Sequence, residues 1–79
     1  MAGGFPAAAS LEDFRRLSAL SQGNNDQAIQ RLRDQGLVWE TTEGLRVRVV
    51  TQRVSSREVE VQEVETGKAY WTYADALER

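Results

Sequence analysis

The sequence predicts an α+β fold, an N-terminal helical hairpin followed by a four-stranded antiparallel β-meander, and three observations carry that expectation. Between Leu11 and Leu32 apolar residues recur at helical spacing, and from Leu37 onward the period changes to two. The stretch Leu45 to Thr66, folded back at Ser55 and Ser56, sets Arg53 opposite Glu58, Arg48 opposite Glu63 and Arg46 opposite Glu65. The same register brings Val50 opposite Val61 and Val47 opposite Val64.

Residues 1–9 (MAGGFPAAA) are rich in Gly and Ala, show no period, and are expected to be a disordered tail ahead of a single domain, 10–79. Ser10 is placed to cap a helix over about 11–22, with Asp13 as the return acceptor of a capping-box-like arrangement and Glu12 at the positive end of the helix dipole. Its apolar stripe is Leu11, Phe14, Leu17 and Leu20, and Gly23 is a stop. Asn24 or Asn25 caps a second helix over about 25–35, whose face is Ala28, Ile29 and Leu32 and which ends at Gly36. Four strands follow, at about 37–41, 45–54, 57–65 and 68–73. Gly44 and Gly67 each close a three-residue hairpin loop, putting Trp39 opposite Val47, Val61 opposite Trp71 and Val59 opposite Tyr73. Ala74 to Arg79 reads as a short helical turn.

At 79 residues the chain has room for one small core, burying only about 60% of the surface its unfolded form exposes. A hydrophobic content of 41% with 28% charged residues is that of an ordered globular chain. Ten basic and twelve acidic residues give a net charge of −2, and neither half of the chain is basic, which disfavours a strong nucleic-acid binder. No stretch approaches the ~20 apolar residues that span a bilayer, and the N-terminus lacks the pattern of a secretory signal, so no membrane partner and a cytoplasmic location are expected.

In the expected register the apolar residues change sides. Leu37, Trp39, Leu45, Val47, Val49, Val64 and Tyr70 share one face, on which the helices are expected to pack. Val50, Val54, Val59, Val61, Trp71 and Tyr73 share the other, toward the hairpin tip. Two explanations fit. Matched β-bulges or strong coiling would turn both sets into one core, as in an SH3-like sheet. Alternatively the second set is an apolar patch that another chain covers.

Histidine and cysteine are both absent, which removes the commonest general base, the usual thiolate and imidazole metal ligands and the most nucleophilic side chain. Glu58, Glu63 and Glu65 are accounted for by arginines opposite them, Glu60 is expected to be solvated, and the four serines of residues 18, 21, 55 and 56 have no activating partner. Catalysis, a metal site and a cofactor are therefore not expected. Of the run YWTY, Trp71 and Tyr73 lie on the patch and Tyr70 does not.

The segment QAIQRLRDQGLVWETTEGLRVRV resembles the recognition helix and wing of winged-helix DNA-binding domains, over about residues 24–50. The resemblance implies duplex binding through the second helix and the hairpin behind it. That helix, with Asp26, Arg31, Arg33 and Asp34, is electrically neutral, and no further helix precedes Leu11. The leading expectation is a non-catalytic interaction module, an adaptor, regulator or homodimer, binding a protein partner through Val50, Val54, Val59, Val61, Trp71 and Tyr73.

Overall fold

The computed structural model describes residues 1–77 and shows an α+β fold with a five-stranded antiparallel sheet. In chain order the elements are β1 (Pro6–Ala8), α1 (Leu11–Gln22), α2 (Asp26–Asp34), β2 (Val38–Glu40), β3 (Val47–Arg53), β4 (Glu58–Glu63), β5 (Ala69–Tyr73) and a short 3-10 helix (Ala74–Leu77). That last turn falls where the sequence places it, except that Glu78 and Arg79 lie outside the described residues.

Both helices start as their capping residues dictate. Ser10 is extended, and its Oγ accepts from the Asp13 N–H at 3.1 Å while donating to Asp13 Oδ2 at 2.9 Å, so the box closes through the hydroxyl. Asn25 accepts from the Ala28 N–H, and Gly36, at φ +74°, turns the chain out of α2.

The tail expected at residues 1–9 instead contributes an interior strand of the sheet through Pro6–Ala8. Strand order is β2-β1-β5-β4-β3, with β1 between β2 and β5, and Ala7 and Ala8 are both fully buried, one on each face. Pro6 stands first in the strand, where a missing N–H is tolerated, and its carbonyl accepts from the Thr72 hydroxyl at 2.8 Å. Three small residues have no strand signal of their own. Pairing on both sides supplies what their composition does not.

A second correction follows. Trp39 pairs with Ala7, not Val47, so β2 and β3 form the two opposite edges of an open sheet instead of a hairpin. The chain between them, residues 41–46, runs alongside the N-terminal segment. Gly4 N–H donates to the Thr41 carbonyl and Thr41 N–H to the Phe5 carbonyl, while the buried Thr41 hydroxyl accepts from Phe5 N–H and donates to the Ala2 carbonyl. Ala2 N–H in turn reaches the Ala76 carbonyl. These segments form a strap beneath the sheet.

The core therefore has two layers. On one side α1 and α2 bring Phe14, Leu17 and Leu32 onto Ala8 and Val38, with Trp71 and Tyr73 packed against them. On the other, Val59, Val61, Tyr70 and Ala7 are covered by Met1, Trp39, Val47, Ala74 and Leu77. The helices thus lie on the face opposite Trp39 and Val47, the reverse of the sequence expectation.

Candidate interaction surface

The six residues expected to form one patch are divided among three environments. Val59 and Val61 are 0% exposed in the layer under the sheet. Trp71 and Tyr73 face the helices, where the Tyr73 ring meets Phe14 edge-on at 4.8 Å and its hydroxyl lies 2.9 Å from Ser18 Oγ. Val50 and Val54 are exposed, the first as an extra residue in β3 and the second in the turn. The hairpin-tip patch is corrected accordingly: four of its six residues are committed to this chain's own core.

Two displacements of one residue explain the change. Arg53 does stand opposite Glu58, but a bulge between Val49 and Thr51 shifts the ladder so that Val49 faces Val61, Arg48 faces Gln62 and Val47 faces Glu63. At the other end of β4, Glu63 N–H donates to the Lys68 carbonyl, so residues 64–67 form a four-residue loop and Val61 faces Tyr70 instead of Trp71. Each slip exchanges faces. The apolar switch inferred from the sequence disappears, because Val59, Val61, Tyr70, Trp39, Val47 and Val49 end on one side.

The charge pairs are redistributed in the same way. Glu58, 7% exposed, pairs with Arg15 of α1 at 3.4 Å and accepts from Ser56 Oγ at 2.8 Å. Burial pushes its pKa up, but the Ser56 and Arg15 bonds, with the fields of Arg15 and Arg53, outweigh this and hold it below the usual value. Glu63 accepts from Tyr70 Oη at 3.0 Å and from Thr66 Oγ1 at 2.7 Å, and Glu60 accepts from Thr51 Oγ1 at 3.1 Å. Burial and the Glu63 carboxylate push the Tyr70 phenol far up, so it remains a neutral donor. Arg46, Arg48 and Arg53 are left exposed and make no ion pair among the described residues.

What the fold does bring together is a trough of about 960 Å³ beneath the β3 side of the sheet. Its lining includes Met1, Leu45, Val47, Val49, Val64 and Leu77 together with Glu43 and Arg46. Val49 and Val64 remain 47% and 51% exposed there. The sequence does group Leu45, Val47, Val49 and Val64 on one face, but assigns that face to the helices. The helices lie on the other side, so these four keep contact with solvent. Beside the trough runs β3, an edge strand whose residues other than Val47 are all exposed.

The wing of the winged-helix resemblance is not formed, since β2 and β3 do not pair. Along α2, Gln30 Nε2 donates to Asp34 Oδ1 at 2.9 Å, and the exposed Arg31 and Arg33 are flanked by Asp26 and Asp34. A smaller crevice of about 200 Å³ by β2 mixes Leu17, Ile29 and Trp39 with Asp26, Arg33 and Glu40. Among the described residues no group of three or more acidic side chains is placed to hold a metal ion, and no helix is long and apolar enough to cross a membrane. Compared with known proteins, the chain matches no family model, no curated protein and no solved structure.

Proposed function

We propose that this chain is a small, non-catalytic protein-interaction module whose binding surface is the trough and the open β3 edge beside it. One observation carries the reading: half-exposed Val49 and Val64 line a concave surface of mixed polarity at the one long strand that, among the described residues, is left with an unpaired side. Exposed apolar surface in a concavity favours a partner over solvent, and an open strand edge offers a row of backbone donors and acceptors. A duplex-binding role has less support, because the helix that would enter a groove is charge-balanced and its wing is absent from the sheet pattern.

Selection of a random peptide library against the whole chain tests this. Retained peptides are expected to shift the backbone amides of Leu45, Val47, Val49 and Val64 in two-dimensional NMR spectra. A library that yields no binder, or binders whose shifts cluster on α2, would overturn the proposal.

A further inference from the structure

The charge pattern of the β3 edge specifies the partner more closely than the trough does. Through the bulge, Arg48, Thr51 and Arg53 stand opposite Gln62, Glu60 and Glu58 and so share one face, while Val47 and Val49 share the other with Val61. The edge thus presents a basic row above and an apolar row below. β3 contains two arginines and no acidic residue, in a chain whose net charge is −2. Glu58 stands opposite Arg53 but closes its ion pair with Arg15 of α1, Glu60 is bonded to the neutral Thr51, and Arg48, opposite Gln62, makes no ion pair among the described residues.

We propose that the β3 edge receives an extended peptide strand in which acidic residues alternate with apolar ones. Its acidic row meets Arg48 and Arg53, and its apolar row continues the surface of Val47 and Val49 over the trough toward Val64. Side chains of an added strand alternate between faces with period two, so one row of the guest necessarily lies on each face of the sheet. Seven paired residues span about 23 Å, the length of β3 itself. This deepens the proposed function and rests on it, since the same surface is used.

The same features weigh against other occupants. A second copy pairing antiparallel through β3 would bring Arg48 of one chain opposite or next to Arg53 of the other, and like charges across strands repel. Charge and a bulge on an edge strand suppress self-pairing, leaving it open to a guest of opposite sign. Single-stranded nucleic acid would find phosphate partners in the arginines but no stacking platform on β3, because Tyr70 is buried and the half-buried Trp71 and Tyr73 are packed against the helices.

The test uses a fluorescein-labelled, end-blocked seven-residue peptide alternating glutamate with valine, a lysine-with-valine counterpart and a ten-residue oligothymidylate. Fluorescence anisotropy at low salt is expected to show the glutamate peptide binding the whole chain and the lysine peptide not. Arg48→Glu is expected to weaken the glutamate peptide by about tenfold and to create binding of the lysine peptide, a reversal that loss of folding would not produce. Arg48→Gln, which removes the charge without reversing it, is expected to fall between the two. Equal binding of both peptides, indifference to Arg48→Glu, or tighter binding of oligothymidylate would overturn the proposal. So would a dimer mass in sedimentation that Val49→Asp converts to a monomer, a change that would identify the occupant as a second copy. Failure of the glutamate peptide, together with library peptides that still map to Val47, Val49 and Val64, would remove the acidic-strand partner and leave the interaction surface standing.

Discussion

Around β1 and β5 the sheet is covered above by α1 and α2 and below by the strap, whereas at β3 it is covered by neither. In the first region neighbouring residues of one strand are buried on opposite faces, as Ala7 and Ala8 are, and Tyr70 and Thr72 are sealed from solvent. In the second, Val49 and Val50 are both about half exposed. The two regions share a hydrogen-bond ladder and differ in layers. Pairing alone gives β3 its shape, and packing gives β1 and β5 their stability, because apolar burial supplies the main favourable term in folding. A strand held chiefly by its ladder can exchange solvent for a guest without dismantling the core.

The sharpest way to break that comparison is to truncate one side chain in each region. Phe14 is fully buried between the helices and Tyr73, so Phe14→Ala is expected to cost about 3–5 kcal/mol, near the whole stability of a domain this small. Val49→Ser, on the exposed strand, is expected to change stability by no more than about 0.5 kcal/mol. Urea unfolding followed by tryptophan fluorescence measures both. Similar losses at the two positions would show that the β3 edge is as much a part of the core as the helix layer.

Local signals made much of the helix layer legible. Ser10, Asn25 and Gly36 cap what they were expected to cap, and the periodic set Phe14, Leu17, Ile29 and Leu32 reaches the core as its spacing requires. Long-range pairing was not legible in the same way. The position of β1 depends on partners 30 or more residues away, and nothing in Ala7 or Ala8 names them. The site was legible in part: Leu45, Val47, Val49 and Val64 were grouped correctly, but the side the helices take is decided by Ala8 and Val38. A bulge at Val50 and one extra loop residue near Gly67 were enough to exchange faces, and period-two patterns cannot detect such slips because each half remains regular.

The next effect tests whether the N-terminal segment belongs to the covered region. Ala7 is fully buried, paired to Trp39 on one side and Thr72 on the other, and packed under the sheet with Val59 and Val61. Ala7→Leu adds three carbon atoms to that layer and is expected to destabilise by about 1–3 kcal/mol, through overpacking. In a chain of this size each kcal/mol corresponds to a fall in melting temperature of about 4–8 °C, so calorimetry resolves it easily. A variant as stable as the wild type would mean that residues 1–9 do behave as a tail.

A further effect, smaller than either core substitution, concerns the ion pair that ties the two regions together. Arg15 belongs to α1 and Glu58 opens β4 beside the turn, so their contact anchors the hairpin to the helix layer. Arg15 is more than half exposed, and replacing Glu58 with Gln keeps an acceptor for Ser56, so Glu58→Gln is expected to cost only about 1 kcal/mol at neutral pH. The sign of its pH dependence is fixed by the lowered pKa. Below the ordinary value of 4.5 the unfolded chain takes up the proton before the folded chain does. The stabilisation is therefore complete above that range and is lost as pH falls through the lower folded value. Melting temperatures of wild type and Glu58→Gln are expected to differ at about pH 7 and to converge as pH falls through the lowered folded value. A gap that persists into acid would assign the loss to the shape of the side chain and not to its charge, and the hairpin would then be held to α1 by packing alone.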